Sequence, residues 1–136
     1  MLSIAKMNGA MTACCVVAFA LLGGGRAAAQ HLYWSDWAGI HRSTVDGNHT
    51  VTVLDDVFAT DLGLDVVAGH LYWSERGCAG WCTPSPGTIN RANLDGTDGR
   101  VLFSNSMYAV DSFSVDTTTD RLFWGGVNLG DVFWTA

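Results

Sequence analysis

Lysine is almost missing from this 136-residue chain, and Lys6 is its only example. From Gln30 onward the sequence carries five arginines and thirteen carboxylates, a net charge of −8. Such a surface repels phosphate backbones, which excludes a nucleic-acid binder. No apolar run follows the N-terminal one, so the sequence offers no membrane span. It also has no G-x-S-x-G elbow, no H-E-x-x-H helix and no glycine-rich phosphate loop, which removes the common hydrolase, zinc-protease and nucleotide-binding chemistries. Sustained helical periodicity is absent as well. What remains is short alternating segments separated by Gly, Asp and Asn, the pattern of an all-β chain.

The one apolar run lies at the start. Lys6 precedes Ala13 to Leu22, and Gly23-Gly24-Gly25-Arg26-Ala27-Ala28-Ala29 follows it. A basic start, an apolar stretch too short to cross a bilayer and small residues at the end are the layout of a secretory leader. Residues 1–29 are therefore expected to be a signal peptide cleaved before Gln30, placing the rest of the chain in an extracellular or periplasmic compartment.

Beyond the leader the chain repeats itself. Leu32-Tyr33-Trp34-Ser35-Asp36 returns as Leu71-Tyr72-Trp73-Ser74-Glu75 and, altered, as Leu122-Phe123-Trp124-Gly125-Gly126. Behind the first two copies come Ile40-His41-Arg42 with Asp46-Gly47, and Ile89-Asn90-Arg91 with Asp95-Gly96. Ahead of the second and third tryptophans stand Asp65 and Asp116, each eight positions upstream. Asp-Gly suits a tight hairpin that needs positive φ. Four short antiparallel strands per unit, on a scale of roughly 40–50 residues, point to propeller blades, with a β-sandwich as the other reading.

This combined pattern of aromatic pair, arginine, Asp-Gly turn and upstream aspartate resembles the YWTD repeat, the low-density-lipoprotein receptor class B repeat. The resemblance implies a six-bladed β-propeller, with the Leu-Asp segment as a blade's innermost strand and the Tyr-Trp, Ile-x-Arg and Val-Leu segments following outward. It also implies that the signature residues Tyr33, Trp34, Asp36, Arg42, Asp46, Gly47, Asp65, Tyr72, Trp73, Glu75, Arg91, Asp95, Gly96, Asp116, Phe123 and Trp124 are structural. The third copy departs furthest, with Trp134 where Arg42 and Arg91 stand. Three units are expected: an incomplete blade over 30–56 lacking its inner strand, a complete one over 61–105 and an incomplete one over 110–136. The ring is then not closed by this chain alone. A fragment of a longer protein, pairing of two chains and divergent closure all satisfy that count.

The second unit holds an insertion, Arg76 to Pro86, between its second and third strands. Cys78 and Cys82 fall inside it, close enough in an oxidising compartment for a local disulfide that pins the loop. Arg76 and Trp81 on that loop are candidates for partner contact. Asn48-His49-Thr50 is a glycosylation acceptor beside a turn. No cofactor, metal or catalytic residue is assigned, and Asp65 and Asp116, equivalent by repeat, are expected to do the same job in successive blades.

The function expected is a secreted, non-enzymatic protein-binding or structural module. An extracellular protein or neighbouring blades are its partners, and self-association is expected of open blade flanks. The alternative is a calcium-dependent propeller hydrolase of the lactonase kind.

Overall fold

In the computed structural model, residues 18–21, 30–77, 86–105, 109–119, 121–125 and 133–135 are described, with side chains for 31–77, 86–105, 109–119 and 121–125. They form three antiparallel sheets. The first contains β1 (Ala18–Leu21), β2 (Gln30–Asp36), β3 (Gly39–Thr44) and β4 (Val51–Asp55), in that spatial order. The second contains β5 (Ala59–Asp65), β6 (His70–Glu75), β7 (Gly87–Asn93) and β8 (Arg100–Asn105). In the third, β9 (Ser112–Asp116) pairs with β10 (Arg121–Gly125), and β10 with β11 (Phe133–Thr135). Strand order follows chain order within each sheet, as in propeller blades.

The first blade carries one strand more than the repeat count predicts. β1 pairs with β2 in the register Ala18↔Tyr33 to Leu21↔Gln30 and lies against β5. Its residues belong to the apolar run read as the leader. The inner edge of β2 otherwise presents unpaired backbone groups, and an apolar segment able to extend satisfies them.

Side-chain alternation decides what each blade face shows. Tyr33 and Ile40 point toward the second blade and bury against its Leu62, Leu71, Trp73 and Ala92. One blade later Tyr72 and Ile89 pack against Leu122 and Trp124 of the third. The same repeat positions thus build both joints, and Trp73 and Trp124 are each received by the preceding blade. Phe103 meets Trp124 with ring centroids 4.5 Å apart and the ring planes tilted by 43°. Register repeats too: Tyr33 pairs with Arg42, Tyr72 with Arg91 and Phe123 with Trp134. Even the irregularity is repeated, since the third-to-fourth strand ladder shifts at Ile40/His41 and again at Ile89/Asn90. A bulge there bends the outer strand and increases its twist.

Candidate functional site: the loop rim and the joints that hold it

Successive antiparallel strands reverse direction, so connections alternate between the two ends of a blade. The β2–β3 and β4–β5 connections of the first blade share one rim with the β6–β7 insertion and the β8–β9 connection of the second. The β3–β4, β5–β6, β7–β8 and β9–β10 turns share the opposite rim.

The turn rim is built by aspartates. Asp65 Oδ1 accepts the backbone N–H groups of Val67 and Ala68 at 3.0 and 2.9 Å. Asp116 Oδ1 accepts those of Thr118 and Thr119 at 2.9 and 3.3 Å, and both threonine hydroxyls also donate to its carboxylate. The two residues therefore cap equivalent turns, because a short carboxylate can bond the backbone two or three residues on. Asp46 and Asp95 do likewise in the Asp-Gly turns, accepting from Asn48 N–H and Thr97 N–H, each at 3.0 Å. Hydrogen bonds from the Thr44 hydroxyl and from Asn48 hold the Asp46 carboxyl at about 2, below its ordinary 3.8. The Thr97 hydroxyl and backbone lower Asp95, and the Thr118 and Thr119 hydroxyls lower Asp116 further. Asn48 is exposed here, its Nδ2 donating to Asp46 Oδ2 at 2.9 Å.

The acidic residue of the Tyr-Trp motif ties two strands together. Glu75 Oε1 accepts from Trp73 Nε1 at 3.1 Å and from Asn90 Nδ2 at 3.3 Å. In the first blade Asp36 meets His41 Nε2 at 3.0 Å, and the His41 ring lies 5.5 Å from that of Trp34. Partial burial raises the Asp36 pKa, but hydrogen bonds from His41 and from Ala38 N–H outweigh it, leaving the carboxyl below its ordinary value.

Between blades, polar links follow the aromatic joints. Tyr33 Oη donates to the Leu94 carbonyl at 3.0 Å, and Ser35 Oγ to the Ala59 carbonyl at 3.3 Å. Asp61 escaped the sequence reading, yet its Oδ2 accepts the Phe113 N–H at 3.0 Å and links the innermost strands of the second and third blades. A lone aspartate near a strand's start carries no signal of that partner 52 residues away.

On the loop rim, Ala38 N–H donates to Asp36 Oδ1 at 2.8 Å, and the Ala38 carbonyl accepts from Asp56 N–H at 3.1 Å. Two loops are thereby locked to each other. They display Trp37, 68% exposed, and Phe58, 62% exposed. In the second blade the corresponding tie is ionic, Arg76 Nε to Asp111 Oδ1 at 3.0 Å. Arg76, expected to serve a partner, is thus engaged between the insertion and the loop leading to the third blade. Cys78, Trp81 and Cys82 lie outside the described residues, as do the side chain of Trp134 and all of Gly126. Among the described residues, no three His, Cys, Asp or Glu side chains gather into a metal-binding group, and no helix is long and apolar enough to cross a membrane.

Comparison with known proteins places the architecture. No family model matches the chain. Protein cueball of Drosophila erecta and that of Drosophila simulans are each 30% identical over 101 residues, covering 69% of this chain and 15% of their own length. The chain therefore spans less than a fifth of the curated relatives it matches. A chain from the crystal structure of a nidogen/laminin complex superposes with a TM-score of 0.67 at 20% identity, over 77% of this chain and 39% of that one. The fold is a partial β-propeller of antiparallel blades, unclosed by the three blades present.

Proposed function

We propose that this chain is a secreted, non-enzymatic segment of a YWTD-type propeller that binds an extracellular protein through its loop rim. The observation carrying this reading is the pair Trp37 and Phe58, two large aromatics left in solvent on loops that hydrogen bonds through Ala38 tie to each other. Exposed aromatics on a pre-organised surface bind with little ordering cost, and such residues dominate the energetics of protein interfaces. The signature carboxylates support a non-enzymatic reading, because they are occupied by turn capping or strand ties. The nidogen neighbour, solved in a complex with laminin, favours a protein partner, with laminin as the first probe. In this reading residues 1–29 are removed on secretion, Cys78 and Cys82 close the insertion loop, and Asn48 carries a glycan on the rim opposite the binding one.

A photo-crosslinker placed at Trp37 and, in a second protein, at Val67 on the opposite rim tests the proposal in extracellular matrix extracts. Protein adducts are expected at position 37 and not at 67. Equal labelling at both, or labelling at 67 alone, removes the rim from the account. Calcium titration addresses the hydrolase alternative, which requires saturable binding.

A further inference from the structure

Trp37 and Phe58 stand on two connections that run side by side. Gly39 pairs with Asp55 across β3 and β4, and Asp56 N–H donates to the Ala38 carbonyl at 3.1 Å, so the backbone carrying Asp55 and Asp56 lies beside that carrying Trp37. Both carboxylates are exposed, and among the described residues neither has a hydrogen-bond or ion-pair partner for its side chain. The aromatic strip therefore holds negative charge that the chain itself leaves uncompensated.

Charge is divided unevenly between the two rims. Strand ends at the loop rim carry Asp36, Asp55, Asp56, Glu75 and Asp111, and among the described residues Arg76 is that rim's one arginine, already bonded to Asp111. Arg42, Arg91, Arg100 and Arg121 all lie in the halves of their strands nearer the turn rim. There Asp46, Asp65, Asp95 and Asp116 are occupied in capping turns.

This distribution selects among occupants. An apolar or acidic partner laid over Trp37 and Phe58 would strip water from Asp55 and Asp56 without replacing it, which is unfavourable for a charge left unpaired. A cation removes that penalty and is also attracted to the ring faces by the aromatic quadrupole. A second copy of this chain does not fit, because it has no lysine after Lys6 and its loop-rim arginine is engaged. We infer that the partner of the loop rim is a basic segment of an extracellular protein, which lays a lysine or arginine side chain against Trp37 and Phe58 and pairs its charge with Asp55 and Asp56. This rests on the loop-rim binding proposed above and adds the chemistry of the partner.

The protein contains its own control. Asp56 and Asp98 are both exposed and both left-handed, at φ 54° and φ 55°, but Asp98 lies in the β7–β8 turn on the opposite rim. Asparagine tolerates that conformation, so Asp56→Asn and Asp98→Asn each remove one charge and leave the backbone in place. Fluorescence anisotropy of the full chain, expressed in a secreting host, is measured with a labelled peptide alternating glycine and lysine and with one of equal length alternating glycine and glutamine. The lysine peptide is expected to bind more tightly. Asp56→Asn should weaken it about three-fold, as for an exposed ion pair, and Asp98→Asn should leave it unchanged. Trp37→Leu, which keeps an apolar side chain but removes the ring face, should also weaken it about three-fold. Equal binding of the two peptides overturns the inference, as does equal weakening by Asp56→Asn and Asp98→Asn, the mark of charge attraction without a site. No effect of Trp37→Leu overturns it too. Crosslinking at position 37 distinguishes the two failures: protein adducts there, with equal binding of the peptides, keep the rim and remove its basic partner, whereas no adducts there remove the rim and this inference with it.

Discussion

Gly96 lies beneath the carbonyl of Val53 so closely that a methyl group there would overlap it, whereas Gly47, its repeat equivalent, faces open space. Both glycines adopt positive φ, so both are needed by the turn, but only one is also needed by the joint. Replacing either by alanine incurs the left-handed backbone penalty of roughly 1–2 kcal/mol. Gly96→Ala adds a backbone clash across the blade boundary and is expected to cost at least about 2 kcal/mol more than Gly47→Ala, in the range of overpacked sites. Urea titration of the two variants measures the difference.

The tryptophans form a second matched pair. Trp73 is buried between the first two blades with its indole N–H satisfied by Glu75. Trp34 holds the same place on the outer flank and is only part buried. Trp73→Ala is expected to cost roughly 3–5 kcal/mol, the usual range for a buried aromatic, and Trp34→Ala clearly less. Equal losses in denaturant titrations would mean that the two blade flanks are equally covered.

Acid should loosen the turn rim before anything else. Asp46 titrates at about 2 when folded and near 3.8 when free, and Asp95 and Asp116 are lowered as well. A carboxyl with a depressed folded pKa stabilises the fold above its unfolded pKa and loses that contribution as pH falls through the folded value. Stability should therefore be flat in this respect above about pH 5 and decline between about pH 4 and 2. Asp46→Asn should flatten part of that decline, as read from melting temperatures across the range.

Strand order was legible because it rests on local chemistry: alternation gives the strands, and Asp-Gly gives the turns. The equivalence of Asp65 and Asp116 was likewise readable from spacing, and each closes a turn within its own hairpin. Asp61 was not readable, because its partner is the backbone of another blade. β1 was missed for a related reason, since an apolar run with small residues behind it has the composition of a leader whether or not part of it pairs as a strand. Trp37 and Phe58 were invisible as a pair because nothing in their spacing shows that two loops share a rim. Only the reversal of successive strands brings them there.

The insertion loop offers a separate prediction. A bridge between Cys78 and Cys82 closes a very small ring, so Cys78→Ser/Cys82→Ser should leave the melting temperature of the blade little changed. If the loop extends the binding rim, that variant and Trp81→Ala should each weaken partner retention. Retention unchanged in both would confine the rim to Trp37 and Phe58.

The open propeller is tested most directly by sedimentation velocity of the chain beginning at Gln30, over a hundred-fold range of concentration. Without residues 1–29 the inner edge of β2 is unpaired, and the outer flank of the first blade has no blade against it. The account predicts weight-average sedimentation that rises with concentration and a broad thermal transition. A monomer at every concentration, with one sharp cooperative melt, would contradict it.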